Sequence, residues 1–580
     1  MHCTISVNSH FLGIVFVKHI SMKTIIIYAA LVCSFFISCN AQDSNTNNTN
    51  DSDSSQEAKA KKNVSKRDYS ITKANSYSDL FLDSMVVENF LTQKNIADSS
   101  LGRRIRSFYN TRNYQYAWFT STGLTEQSRG FWNLHDYHTT YNKDSILNSK
   151  SLSRTMDNLI AEENLSVSAS NKNFINTELT LTSHFIQYIR NEYEDGVVKR
   201  KEMERFIPRK KEDPLLLADS ILSKKHKDNK YFEDANESYK SLKNQLTLYY
   251  EITKKGGWPS VKADKKSYKK GSSSPVLADI KRHLTMTGDM PAGDTSRLFT
   301  DTLEKGVKNY QARFGYTPDG VIGASFLKEM NVSAGARLQQ ILLNLERMRW
   351  LPSRPEGDMI LVNIPEFVLH VYDGKKNVWN MNVVVGKEGH NTMMFSGDLN
   401  QVVFSPYWNV PVSIVKSEIL PSIAKDPGYL ARNNMEQTGT EGGYPVIRQL
   451  PGPDNSLGKV KFLFPNSFNI YFHDTNAKSL FSKDKRAYSH GCIRLAEPEK
   501  MAQYLLRHQP EWTDSKIFDA MNSGNEKYVK LKEPVPVFIT YYTAWVGENG
   551  QLNFREDIYD HDKKLTARMF SGTRPLLASK

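Results

Sequence analysis

Cysteine is scarce in this chain of 580 residues, with only Cys3, Cys33, Cys39 and Cys492 present. The first three lie within the first 39 positions. A disulfide framework is therefore excluded for the body of the protein. Long apolar runs are also missing. The run that follows Met22 and Lys23, in "MKTIIIYAALVCSFFISCNAQ", is too short to span a membrane comfortably. With its positive start, apolar centre and Ser38 before Cys39, it reads as a secretory signal. A cysteine just after such a cut resembles a bacterial lipobox, and lipidation of Cys39 would tether the chain to a membrane; plain signal cleavage nearby is the other reading. Either way Cys492 becomes the only free thiol of an exported chain, in a compartment where unpaired thiols are a liability.

What is present suits a multidomain globular protein. Apolar residues make up 39% and charged residues 24%, ordinary values for soluble domains. The length suggests three to four domains. A net charge of +13 favours anionic partners such as nucleic acid, anionic lipid or a carboxylate-rich wall polymer, or simply forms a solvated basic surface.

Patterning divides the chain. Residues 1–39 form the signal segment and 40–68, rich in Asn, Ser and Asp, a flexible tether. Residues 69–274 carry apolar residues three and four apart and read as a helical scaffold, with Gly196 capping one helix. Residues 275–332 form a small helical unit, with Val307, Tyr310 and Phe314 on one face and a Pro318-Asp319-Gly320 turn. A connecting helix fills 333–356. From 357 the period changes to two and strands dominate to 580, interrupted at about 412–443 by an insertion, helical and then loop-like, long enough to act as a lid.

The chemistry gathers around "SFNIYFHDT" and "KRAYSHGCIRLAEP". Strand alternation sets Asn469, Tyr471 and His473 apart from Phe468, Ile470 and Phe472. A thiolate is the reactive form of cysteine, so Cys492 needs a base within reach, and His473 can serve. Gly491 lets the backbone approach an acyl group, and the N–H groups there can line an oxyanion hole. Arg494 can lower the thiol pKa or hold a substrate carboxylate.

His473 followed by Ser489-His490-Gly491-Cys492-Ile493-Arg494 resembles the signature of the L,D-transpeptidase family. "SPYWNVPVSI", "RQLPGPDNSLGKVKFLFPN" and "TAWVGENGQLNFREDIYDHD" are similar to its large members, and the 275–332 unit resembles a peptidoglycan-binding module. The resemblance implies a multidomain α+β chain: helical scaffold, wall-binding module, and a mixed β-sandwich catalytic domain with a lid. It implies a peptidoglycan tetrapeptide donor, attack by Cys492 at its third residue, loss of D-alanine, and a thioester resolved by a second stem to give a 3→3 cross-link. His473 would be general base and acid, oriented by the carbonyl or carboxylate of Asp474, with Gly491 contributing backbone to the oxyanion hole. Ser489, His490, Arg494, Tyr471, Trp408 and Arg448 would border the substrate. No metal or cofactor is implied, and no nucleic acid. A cell-wall synthase or carboxypeptidase partner is compatible with this chemistry, as is a lipid-anchored location on the periplasmic side of the envelope.

Other readings stay open. Cys492 could be inert, although its polar flanks argue against a core position. His473, His490 and Cys492 could bind zinc, but a fourth ligand is not evident. His490 could set the loop rather than carry protons. Tyr471, Tyr407 and Trp408 could be core aromatics, and Asn455 a turn residue. Water could resolve the thioester, giving an L,D-carboxypeptidase or a hydrolase that releases wall-attached protein. The chain could also be a non-catalytic wall-binding lipoprotein.

Overall fold

The computed structural model describes residues 64–141, 147–162, 165–193, 206–223, 237–350 and 357–571. The signal segment, Cys39, most of the tether and Gly196 lie outside the described residues.

The helical scaffold forms as its periodicity predicts. Its core is aromatic: Phe108, Trp118, Phe131 and Phe185 are fully buried and in mutual contact. Helix starts carry side-chain caps; Ser99 accepts from the Gly102 N–H and Asp83 from that of Met85. Glu178, on α1 (Lys172–Tyr193), is also buried. It accepts the N–H groups of Ala117 and Trp118 at 2.7 and 3.0 Å and the Tyr109 hydroxyl at 3.0 Å. Those donors offset the cost of enclosing a carboxyl group.

Helix α2 (Glu237–Lys254), assigned above to the scaffold, buries Leu242, Leu246 and Tyr249 in a second core instead. That core is shared with α3 (Val276–Met286), α4 (Asp301–Arg313), α5 (Ala324–Met330) and α6 (Ala334–Met348). Gln311 binds the Asp319-Gly320 turn from both sides, donating to Asp319 Oδ1 at 2.7 Å and accepting the Gly320 N–H at 2.8 Å. The end of the chain joins the same core through Tyr542, Ala544, Leu552, Phe554, Leu565 and Met569. The 275–332 unit therefore shares its apolar interior with α2, α6 and the C-terminal segment.

The β-rich body is built from β1 (Asp358–Asn363), β2 (Val368–Asp373), β3 (Lys376–Gly386) and β4 (Phe395–Phe404). After the insertion come β8 (Val460–Leu463), β9 (Phe472–His473), β10 (Ala487–Ser489), β11 (Ile493–Leu495) and β12 (Lys527–Thr540). Their order is β10-β3-β11-β9-β8-β4-β12-β1-β2, and β2 pairs back onto β3. The mixed parallel and antiparallel character is as expected, but the two faces of the expected sandwich belong to one sheet closed on itself. The bend lies in β12, whose pairing with β4 shifts register between Lys530 and Val535. A bulge of that kind curves a long strand enough to face its own sheet. The enclosed core includes Val383, Val402, Phe462, Phe472, Ile493 and Val537.

The insertion has its own small core of Val410, Ile414, Val415, Ile419 and Ile447. Its first part is helical across 412–425. Its second part, expected as loop, is a hairpin of β6 (Met435–Glu441) and β7 (Tyr444–Gln449), with β5 (Trp408–Asn409) on the far side of β7. Most of β6 is solvent-exposed, so no apolar alternation marks it.

Arg347 of α6 joins the layers. It is buried and pairs with Glu126, on α-helix Glu126–Tyr141 of the scaffold, and with Asp562 in the C-terminal segment. Asp562 also accepts the Thr543 hydroxyl at 2.6 Å. Removing the guanidinium would leave two enclosed carboxylates unpaired. Arg347→Met should lower stability by about 3–5 kcal/mol, read by urea denaturation with tryptophan fluorescence.

Candidate active site

Two short strands assemble the motif. β9 and β11 run parallel, with Phe472 opposite Ile493 and His473 opposite Arg494. Phe472 and Ile493 are fully buried in the core of the closed sheet. Paired residues point to the same face and neighbours to opposite faces. Anchoring Phe472 and Ile493 inward thus turns Tyr471, His473, Cys492 and Arg494 to the other face together. The Tyr471 and His473 rings meet edge to face at 5.8 Å. Of the expected strand 467–475, only residues 472–473 pair; Asn466 ties the preceding turn by accepting the N–H groups of Phe468 and Ile470 at 3.0 and 3.1 Å.

His473 is buried, at 4% exposure. Its Nδ1 lies 2.5 Å from the Asp474 carbonyl. An N–H at Nδ1 donating to that oxygen leaves the Nε2 lone pair free to accept a proton. Between the two options left open by the sequence, the contact is through the Asp474 carbonyl. The Asp474 carboxylate is engaged elsewhere, accepting the Thr475 and Lys459 N–H groups at 2.7 and 2.9 Å and Lys478 Nζ at 2.6 Å. Burial, reinforced by the Arg494 charge, pushes the His473 imidazole down to about 3.

Cys492 is half-buried. Its Sγ lies 3.7 Å from the Asn469 carbonyl. Burial pushes the thiol up to about 11, against the lowering effects of hydrogen bonds from Tyr471 and of the Arg494 charge. These shifts favour the neutral form of both groups, and among the described residues no hydrogen bond joins Cys492 Sγ to His473. The expectation that the histidine ionises the thiol in the resting protein finds no support in these shifts. Arg494 Nε is enclosed and has no hydrogen-bond partner among the described residues.

The turn that carries Cys492 is held from inside. Ser489 is buried; its hydroxyl donates to the Cys492 carbonyl at 2.5 Å and accepts the Gly491 N–H at 3.1 Å. The residue expected to border substrate thus spends its hydroxyl on the loop backbone. Gly491 has φ +116°, a conformation that side chains rarely adopt. Because its N–H is bound by Ser489, the open donor of the turn is the Cys492 amide. His490 turns outward to Glu418 of the insertion, 2.8 Å away.

Arg448 and Trp408 belong to the three-stranded sheet of the insertion. Arg448 is engaged by Glu436 at 2.5 Å and lies 4.4 Å from the centre of the Tyr407 ring. Trp408 packs against the core of the insertion. Neither is hydrogen-bonded to the motif residues. Asn455 is buried in a turn, its amide donating to the carbonyls of Pro406 and Leu450 at 3.1 and 2.9 Å. Thr392, absent from the sequence-based candidates, donates to the Gly491 carbonyl at 2.7 Å. No spacing relative to His473 or Cys492 announces it. Among the described residues no group of three or more His, Cys, Asp or Glu side chains could hold a metal ion, and no helix is long and apolar enough to cross a membrane.

Residues 357–537 match the L,D-transpeptidase catalytic domain family, and residues 103–246 match a scaffold domain family. A curated Haemophilus influenzae protein, provisionally named an L,D-transpeptidase, is 31% identical over 254 residues. That match covers 41% of this chain and spans half the length of the relative. An L,D-transpeptidase structure from Stackebrandtia nassauensis is similar at 13% identity and TM-score 0.20, covering 48% of this chain and 97% of that one. One from Mycobacterium smegmatis is similar at 12% identity and TM-score 0.18, covering 32% and 58%. By sequence, residues 357–537 are similar to L,D-transpeptidase catalytic domains and residues 103–246 to a scaffold domain.

Proposed function

We propose that the protein is a peptidoglycan L,D-transpeptidase that forms 3→3 cross-links through a thioester on Cys492. The observation that carries this reading is the parallel pairing of β9 with β11, which turns Tyr471, His473, Cys492 and Arg494 to one face.

The reaction starts from the neutral pair. When a tetrapeptide stem binds, the thiol turns from the Asn469 carbonyl and passes its proton to His473 Nε2 as sulfur attacks the carbonyl carbon of the third stem residue. Contacts of this kind are often loose in the free enzyme and tighten with substrate. The oxyanion forms toward the Cys492 N–H. Collapse breaks the C–N bond to D-alanine, and the imidazolium returns its proton to the departing amine. The side-chain amine of a second stem then attacks the thioester and gives its excess proton to His473, the C–S bond breaks, and the imidazolium passes that proton to the departing sulfur, restoring the neutral pair. Arg494, enclosed but with an unpaired Nε, suits a stem carboxylate.

The supporting parts take roles consistent with this chemistry. The insertion acts as a lid, joined to the nucleophile turn by Glu418 and His490. The 275–332 unit contacts the wall, and a lipid on Cys39 holds the chain at a membrane on the periplasmic side. Donors must already be trimmed to tetrapeptides, so a carboxypeptidase or a wall synthase is the kind of partner required. A carbapenem would acylate the same sulfur. Water in place of the acceptor amine would give an L,D-carboxypeptidase from the same intermediate.

Incubation with disaccharide tetrapeptide, read by mass, tests the reading. Cross-linked dimers with loss of D-alanine are expected; tripeptide alone would assign hydrolysis, and no conversion would end the enzymatic account. Cys492→Ala should abolish both products, and His473→Ala should slow thioester formation by about 10²- to 10⁴-fold.

The resting pKa values give a separate outcome. With the thiol pushed up to about 11, its reactive thiolate grows about tenfold per pH unit across neutral and mildly alkaline pH. Alkylation of Cys492 by iodoacetamide should therefore rise steadily from pH 7 toward pH 10. A plateau reached near pH 6 would show instead a preformed thiolate–imidazolium pair.

A further inference from the structure

The turn that presents Cys492 is clamped at two successive peptide units. On one side Ser489 donates to the Cys492 carbonyl. On the other, Thr392 donates to the Gly491 carbonyl at 2.7 Å, while its hydroxyl oxygen accepts the Gly386 N–H at 2.9 Å. Thr392 is buried, at 1% exposure. Gly386 closes this loop tightly; a Cβ there would sit 2.0 Å from the His390 carbonyl oxygen and 2.8 Å from the Thr392 nitrogen.

A trans peptide unit is planar, with its C=O and N–H pointing in opposite directions. The Gly491 carbonyl and the Cys492 N–H belong to one such unit. A bond that fixes the first therefore fixes the direction of the second. The Cys492 N–H accepts no assignment elsewhere: among the described residues it has no hydrogen-bond acceptor.

Thr392 is itself held by the C-terminal segment. The Tyr559 hydroxyl donates to the Gly386 carbonyl at 2.6 Å and accepts the Thr392 N–H at 3.3 Å. The Tyr559 N–H donates to the Tyr541 hydroxyl at 3.0 Å, which donates to Asp557 at 2.7 Å. Asp557 accepts the N–H groups of His561 and Lys563 at 2.8 and 3.0 Å. Those residues open the helix His561–Met569, whose Leu565 and Met569 lie in the core of the 275–332 unit.

We propose that Thr392, braced by Tyr559, is a positioning residue that aims the Cys492 N–H at the developing oxyanion. The proposal rests on the transpeptidase reading for its catalytic consequence. An oxyanion donor contributes to the rate only when it already points at the site where charge develops. Thr392 does this from behind, without touching the reacting atoms, and it ties the nucleophile turn to the segment that packs on the helical body.

The test uses the mature full-length chain with Thr392→Val, Thr392→Ser and Tyr559→Phe. Carbapenem acylation of Cys492, which passes through an oxyanion, is compared by mass with iodoacetamide alkylation, which does not. Thr392→Val should slow acylation about 100-fold and leave alkylation unchanged. Thr392→Ser, which keeps the hydroxyl, should restore most of the acylation rate, and Tyr559→Phe should slow acylation less than Thr392→Val. Amide hydrogen exchange in a peptide covering residues 487–495 should quicken in Thr392→Val. Acylation of Thr392→Val at the wild-type rate, or loss of alkylation in step with acylation, would overturn the proposal. Should the wild type itself resist acylation, the transpeptidase reading fails by itself. Exchange then decides the positioning: quickening supports it and an unchanged rate overturns it.

Discussion

Two residues packed inward, Phe472 and Ile493, hold the site together. They lie opposite each other on neighbouring parallel strands and are fully enclosed in the core of the catalytic sheet. A strand cannot slip by one residue without exchanging its buried and exposed faces. Here a slip would put His473 or Cys492 into the core and expose a phenylalanine or an isoleucine. Burial of two apolar side chains, about 1.5–3 kcal/mol each, therefore specifies which residues share the reactive face. The register of these short strands is set by the core and needs no contact between the catalytic groups themselves.

The same enclosure sets the electrostatics. Removing water from around His473 and Cys492 disfavours both charged forms, so the imidazole is pushed down and the thiol up. Arg494 acts on both groups in the same direction, repelling a proton from the histidine and favouring the thiolate. The resting site holds its proton on sulfur, with the imidazole lone pair vacant. A neutral thiol is far less open to oxidation than a thiolate.

Around this centre the parts are joined more closely than a string of modules. The C-terminal residues leave the catalytic sheet, enter the core of the 275–332 unit and meet the scaffold through Arg347 and Asp562. The Cys492 turn touches that assembly through Thr392 and Tyr559. It touches the insertion through His490 and Glu418. Backbone geometry at Cys492 is thus set by segments far away in the chain.

The amino-acid sequence by itself determined where helical and strand patterns lie and which reactive residue types the motif brings. Apolar spacing of three and four marked the scaffold helices. Alternation marked the catalytic strands. His473 with Ser489 to Arg494 marked the resemblance to L,D-transpeptidases, because local pattern and reactive residue types are written along the chain. Only the tertiary structure decided the closure of the sheet, the hairpin in the insertion, and the contact of His473 with the Asp474 carbonyl. It also decided that Ser489 serves the turn, that Arg448 is engaged by Glu436, and that Thr392 stands behind Cys492. The exposed strand β6 carries no apolar period to be read. Thr392 and Gly491 are separated by 98 intervening residues; their contact arises from strand pairing and chain return, which no local pattern encodes.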